Sequence, residues 1–214
     1  MNLRLLLVDD HAIIREGLRH LLGRESFIEV VGEAATGRQA LALVEELQPD
    51  MVVMDIAMPD MNGIEATEEI CRRWPKVRVV ILSVHSTTEH IHRAFRAGAT
   101  GYVLKESAGK ELIAAVRSAH SNKTYLSQKI REQDIDNLQA RSWSKSPLEE
   151  LSRREREVLQ LVVEGKSSIE IAAILFLSQK TVETYRSRLM SKLALHDIPS
   201  LVKFAIQHGI TPLE

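Results

Sequence analysis

The sequence predicts an α/β domain built on a parallel, doubly wound sheet, followed by a small all-α domain. Over about 120 residues, short apolar runs alternate five times with segments of helical spacing. That alternation implies a parallel sheet with helices on both faces and right-handed crossovers. The last third shows only helical spacing and helix-start signals. A third pattern concerns chemistry: four of the five strand runs end on a polar residue, and in such sheets ligand sites lie beyond the carboxyl ends of the strands.

The elements follow in order. Leu3 to Val8 is an apolar strand that stops at Asp9-Asp10. His11 to Leu22 places Ile14, Leu18, Leu21 and Leu22 on one helical face, and Gly23 ends it. Phe27 to Gly32 is the second strand. Gly37 to Leu47 is a helix with Ala40, Leu41, Val44 and Leu47 inward. Met51 to Met54 is the third strand and ends in Asp55. A turn signal at Asn62-Gly63 then opens a helix to Trp74, closed by Pro75. Val77 to Leu82 runs into Ser83, Thr88 to Ala97 is a helix stopped by Gly98, and Gly101 to Leu104 runs into Lys105. Ala108 to His120 is the fifth helix.

Bulk properties exclude several classes. The chain has 214 residues, enough for one large or two small domains, and a formal net charge of −1. No global field draws it to nucleic acid or a membrane, so DNA binding requires a local patch. Cys71 is the only cysteine, which excludes an intrachain disulfide and fits a reducing compartment. The apolar run at Met1 to Val8 is too short for a signal peptide or a membrane span. A soluble, cytoplasmic protein with no membrane partner is expected.

The strand ends bring Asp9, Asp10, Asp55, Ser83 and Lys105 to one edge. Three carboxylates repel one another, and an all-oxygen set suits Mg²⁺ (or Mn²⁺). A cation, an ammonium and a hydroxyl neutralise and bond a transferring phosphoryl group while a carboxylate attacks it. Asp55, on the third strand, is the expected nucleophile, with the Asp9-Asp10 pair holding the metal. The elements Val8-Asp9-Asp10-His11, Met54-Asp55 with Met58-Pro59 and Asn62-Gly63, Ser83, and Gly98 through Lys105 together resemble the receiver domain of two-component response regulators. The resemblance implies a flavodoxin-like, five-stranded sheet of order 2-1-3-4-5 and phosphorylation of Asp55 by a partner histidine kinase. It implies metal binding by Asp10, Asp55 and the Ala57 carbonyl, with Asp9 acting through water. Ser83 and Lys105 would sense the phosphoryl group, and Tyr102 would be the switch aromatic, drawn inward with Ser83 on phosphorylation. Ala57 has no side chain to hydrogen-bond an attacking water, so hydrolysis of the acyl phosphate slower than in a version with Asn there is expected. His85 reads as a surface histidine.

From Tyr125 the character changes, and 125–147 reads as a linker between domains at 1–124 and 148–214. Ile130, Ile135 and Leu138 are loosely spaced for a helix, and Trp143 reads equally as a docking residue or an ordinary half-buried aromatic. Ser152 with Glu155, and Ser167 with Glu170, form capping boxes, and Ser178 caps a longer helix to Leu193. Ile198 to His208 is the last helix. A short helix, a tight turn at Phe176-Leu177 and a longer helix make a helix-turn-helix unit.

On that longer helix Val182, Tyr185, Leu189 and Leu193 form the inward stripe. The opposite face carries Lys180, Thr184, Ser187 and Ser191, with Arg188 beside it. Lys180, Arg186, Arg188 and Lys192 against the single acid Glu183 supply the local positive patch. Leu151 through Leu159, Ile171-Ala172, Leu177 through Arg186 and Lys192-Leu193 resemble the LuxR-type helix-turn-helix domain, and the two halves together resemble the NarL/FixJ class of response regulators. That resemblance adds Thr181 to the DNA-binding set, puts Glu183, Thr184 and Ser187 toward the groove and assigns dimerisation to the last helix. It implies a phosphorylation-switched transcription regulator, not a turnover enzyme, acting as a homodimer on double-stranded DNA with RNA polymerase as an expected partner. Two other readings remain: a Mg²⁺-dependent phosphohydrolase using Asp55, and a receiver whose second domain binds protein.

Overall fold

The computed structural model describes residues 2–132 and 146–211. The chain divides into two compact units, Met1–Arg141 and Ser142–Glu214. Ile135, Leu138, Ser142, Trp143 and Ser144 lie outside the described residues.

In the first unit the order is β1 (Leu3–Val8), α1 (Ala12–Leu22), β2 (Ile28–Ala34), α2 (Gly37–Leu47), β3 (Met51–Asp55), α3 (Gly63–Arg73), β4 (Arg78–Ser83), α4 (Thr88–Arg96), β5 (Gly101–Leu104), α5 (Ala108–His120) and β6 (Tyr125–Leu126). All strand pairs are parallel, in the order β2-β1-β3-β4-β5-β6. The five-stranded expectation is therefore corrected to six. Tyr125 and Leu126 lie against Gly101 and Tyr102 and cover an edge of β5 that would otherwise be unpaired. A two-residue strand is too short to leave a periodic pattern in the sequence, and the sheet thus extends into the segment read as linker.

The period of two along each strand builds two separate cores. Leu6, Val8, Val52, Met54, Ile81 and Leu104 face one way and pack with residues of α2, α3 and α4. Leu5, Leu7, Met51, Val53, Leu82 and Val103 face the other way and pack with residues of α1 and α5. Burial on both faces explains why these strands read as continuous apolar runs.

Gly63 is fixed by close approach. The Gly63 N–H donates to the Ile56 carbonyl at 2.8 Å, which draws the start of α3 onto the end of β3. A Cβ there would lie 1.7 Å from the Asp55 carbonyl oxygen. Asn62 caps the same helix, its Oδ1 accepting from the Glu65 N–H at 3.0 Å.

The second unit begins with a short 3₁₀ turn at Pro147–Glu150, then α6 (Arg153–Val163), α7 (Ser168–Leu175), α8 (Gln179–Lys192) and α9 (Ile198–Gln207). Both expected capping boxes are formed, Ser152 with Glu155 and Ser167 with Glu170. Phe176 makes the turn into α8 with φ +56, and Ser178 caps α8 by accepting from the Thr181 N–H. Leu159, Leu161, Ile171, Leu175, Val182 and Leu189 form the centre of its core.

Gly63→Ala is expected to lower the stability of the first unit by at least about 2 kcal/mol, because the obstruction is backbone and cannot rotate away. Chemical denaturation checks this, and a wild-type midpoint would show that the α3 start can shift.

Candidate functional site

The parallel sheet delivers the expected residues to one edge. Asp9 follows β1 directly, Asp55 is the last residue of β3 and pairs with Leu82, and Ser83 ends β4 opposite Leu104. Lys105 follows β5. Asp9, Asp55 and Ser83 are all but inaccessible to solvent. Ala57, two residues beyond Asp55, is also buried.

Lys105 joins the two buried acids. Its Nζ lies 2.7 Å from Asp55 Oδ2 and 2.7 Å from Asp9 Oδ2. Asp55 Oδ1 accepts from the Ile56 N–H at 2.7 Å, and Asp9 Oδ1 accepts from the His11 N–H at 2.9 Å. Burial pushes the Asp55 carboxyl from an ordinary 3.8 up to about 6; Lys105 pulls against that rise and Asp9 adds to it. Burial alone would lower the Lys105 ammonium, but Asp55 and Asp9 outweigh it and hold it above its usual value.

The donor set fits a hard divalent cation. Ligand atoms of Asp9, Asp10, His11 and Asp55 all lie within 4.8 Å of one another. Asp9 Oδ2 and Asp10 Oδ1 are buried and receive no aligned hydrogen bond among the described residues. The first faces Lys105, and the second lies 2.6 Å from His11 Nδ1. Buried carboxylate oxygens that meet only cationic or titratable groups are the chemistry a metal ion satisfies. His11 was not among the expected ligands; its position directly after Asp9-Asp10 was the available signal.

Tyr102 is fully buried, and its hydroxyl donates to the His85 carbonyl at 2.7 Å. The inward position, expected only after phosphorylation, is already occupied, because there the ring is buried in the apolar cluster while the hydroxyl finds an acceptor in the His85 carbonyl. The His85 N–H in turn donates to Ser83 Oγ at 3.1 Å. His85 is half-buried, not the surface histidine expected, and stacks on His90 with ring centroids 4.3 Å apart. Burial lowers its pKa, with Lys105 and Arg93 adding to the effect.

In the second unit, α8 divides as its wheel predicts. Val182 and Leu189 are buried, Tyr185 and Leu193 partly so, while Lys180, Glu183, Thr184, Ser187, Arg188 and Ser191 are exposed. Two of the four bases also bond within the domain. Arg186 is half-buried and donates to Ser168 Oγ at 3.0 Å. Lys192 donates to the Glu150 carbonyl at 3.0 Å and to Glu155 Oε2 at 2.7 Å. These two bases bind α8 to its own domain. Thr181 bonds back to Ser178 Oγ, Thr184 Oγ1 donates to the Lys180 carbonyl, and Glu183 is held by Gln179 at 3.0 Å. Sequence reasoning could not tell which of the bases also bond within the domain, since all four fall on one polar helix.

Comparison with known proteins places both units. The family model described as response regulator receiver domain matches residues 5–117, and that described as bacterial regulatory proteins, luxR family, matches residues 149–205. The chain is 38% identical to the uncharacterized transcriptional regulatory protein YhcZ of Bacillus subtilis, over 97% of both chains. It is 36% identical to the response regulator UvrY of Escherichia coli K12, over 99% of this chain and 97% of that one. A solved structure of a LuxR-family two-component response regulator from Aurantimonas is 38% identical, with a TM-score of 0.62, over 66% of this chain and all of that one.

Because a proton on Asp55 competes with a cation, divalent-metal affinity is expected to fall about tenfold per pH unit below the carboxyl's pKa of about 6. Calorimetric Mg²⁺ titrations between about pH 7.5 and about pH 5 check this. Unchanged affinity would place the cation away from Asp55.

Proposed function

From the premise that this chain belongs to the two-component response regulators, with a receiver domain and a LuxR-family DNA-binding domain, we propose that Asp55 is its phosphoacceptor. The observation that carries this is the convergence on Asp55 of Lys105 and a cluster of acids fit for a divalent cation. A sensor histidine kinase supplies the phosphoryl group, and the regulated output is transcription. Asp9, Asp10, Asp55 and the Ala57 carbonyl would hold Mg²⁺, or Mn²⁺ in its place, which would supply charge neutralisation to the phosphoryl oxygens.

The residues of the chain divide the remaining work. Asp55 attacks phosphorus as a carboxylate, the P–N bond to the kinase's phosphohistidine breaks, the imidazole leaves and takes up a proton, and Asp55 becomes an acyl phosphate. Lys105 exchanges its contact with Asp55 for a phosphoryl oxygen, and Ser83 donates its hydroxyl to another. Since the Ser83 oxygen already accepts from the His85 N–H, and the His85 carbonyl accepts from Tyr102, a change at Ser83 reaches the Tyr102 ring through two hydrogen bonds. The state of that chain shifts the population of DNA-competent dimers.

In the DNA-binding domain, Lys180 and Arg188 provide outward charge, Glu183, Thr184 and Ser187 face the groove, and Thr181 joins the DNA-binding set. Arg186 and Lys192 act chiefly by holding α8 in place. The protein acts as a homodimer on double-stranded DNA, pairing through α9, with RNA polymerase as the downstream partner and the cytoplasm as its location. No described helix is long and apolar enough to cross a membrane. A hydrolase reading is not favoured, since the relatives are named as regulators.

Acetyl phosphate with Mg²⁺ should raise the affinity of the wild-type chain for duplexes selected from random sequence, and Asp55→Asn should abolish that gain. An equal donor-dependent gain in Asp55→Asn would sink the assignment. On the same duplexes Lys180→Ala and Arg188→Ala should each reduce the salt slope by about 1. Lys192→Ala should instead lower the melting temperature of the second unit.

A further inference from the structure

The stretch 125–132 reads in sequence as the start of a linker, yet it is held more firmly than a tether requires. The Tyr125 N–H donates to the Thr100 carbonyl at 3.1 Å, and the Ser127 N–H donates to the Tyr102 carbonyl at 2.9 Å. Ser127 is fully buried, and a helical segment follows at 128–132. The Glu111 carboxylate, in the first turn of α5, accepts from Ser127 Oγ at 2.7 Å, from the Gln128 N–H at 3.2 Å and from the Tyr125 hydroxyl at 3.3 Å. Glu111 thus caps the helical segment from a different element. Ile130 is fully buried in the apolar cluster that also contains Tyr102 and Leu104. Lys129 pairs with Glu106, the residue next to Lys105, at 2.6 Å.

The root of the linker is therefore bonded to two elements at once, to β5 through its backbone and to α5 through Glu111. A slip of β5 relative to α5 must break one of these sets. β5 also carries Tyr102 and leads directly to Lys105, the groups assigned to register the phosphoryl group. We propose that residues 125–132 are the output element of the receiver, and that Glu111 is the positioning residue that makes them respond to the state of Asp55. This rests on the reading of Asp55 as phosphoacceptor. Its physical content is a two-state element that both β5 and the exit of the chain bias. The Lys129–Glu106 pair is exposed on both sides and contributes little by itself.

The test uses the full chain with acetyl phosphate and Mg²⁺, and reads three quantities: hydrogen exchange of the peptide spanning 125–132, phosphoryl incorporation at Asp55, and affinity for duplexes selected on phosphorylated wild type. In wild type the donor should change exchange of that peptide at least about fivefold, and in Asp55→Asn it should change nothing. Glu111→Ala should incorporate phosphoryl within about twofold of wild type while its donor-dependent gain in DNA affinity falls at least about fivefold. Glu111→Gln, whose amide oxygen still accepts from Ser127 and Gln128, should restore the gain. An intact gain in folded Glu111→Ala overturns the proposal. If that variant does not fold, Ser127→Ala decides: an unchanged gain overturns the proposal, and a loss of at least about threefold with normal incorporation supports it. A wild type that neither incorporates phosphoryl nor gains affinity sinks the phosphoacceptor reading and this inference with it.

Discussion

The structure of the first unit depends on Lys105 standing between two buried carboxylates. Asp9 and Asp55 are each nearly inaccessible to water, and Lys105 lies 2.7 Å from both. One ammonium cannot fully compensate two buried acids, so the Asp55 carboxyl remains pushed up to about 6. The sign of the consequence is fixed. A carboxyl whose folded pKa exceeds its ordinary 3.8 favours the folded state when protonated, and that stability is lost as the pH rises through about 4 to 6. The shift of about two units corresponds to about 3 kcal/mol of strain in the ionised site. A cation at this edge has that strain to relieve, which links a small chemical event to the conformation around it.

The fold converts this local conflict into a position. Parallel strands place every chain exit on one edge, so residues from four strand ends meet without any being close in sequence. Gly63 lets α3 start against the Asp55 backbone, and the two-faced core behind the strands leaves the edge little room to relax. Ser83, His85 and Tyr102 then form a hydrogen-bonded series leading away from the acids along β4 and β5. In the second unit the same trade between internal and external use is visible on α8, where Arg186 and Lys192 stabilise their own domain while Lys180 and Arg188 stay outside.

Much of this was legible in the residues. Continuous apolar runs ending in Asp9-Asp10, Asp55, Ser83 and Lys105 specified both the parallel sheet and its polar edge, because a sheet buried on both faces leaves only the strand ends for polar groups. Capping boxes at Ser152 and Ser167 marked two helix starts for a local reason, hydrogen bonds within one turn. What escaped notice involves long-range partners. Tyr125-Leu126 is too short to show a period, and its strand character comes entirely from β5. The half-burial of His85 depends on stacking against His90. The intradomain bonds of Arg186 and Lys192 depend on Ser168 and Glu155, which lie 18 and 37 positions away. The hydrogen bonds accepted by Glu111 come from a segment whose composition resembles a tether.

The central claim is that ionised Asp55 strains the folded receiver and that a bound cation relieves the strain. The direct measurement is the unfolding free energy of the first unit in the full chain, for wild type and Asp55→Asn, at about pH 7.5 with a chelator and then with Mg²⁺. The neutral asparagine should be more stable than wild type by about 1–3 kcal/mol without metal, and Mg²⁺ should close that gap by stabilising wild type alone. An Asp55→Asn variant less stable than wild type in chelator, or one that gains as much from Mg²⁺, would contradict the account.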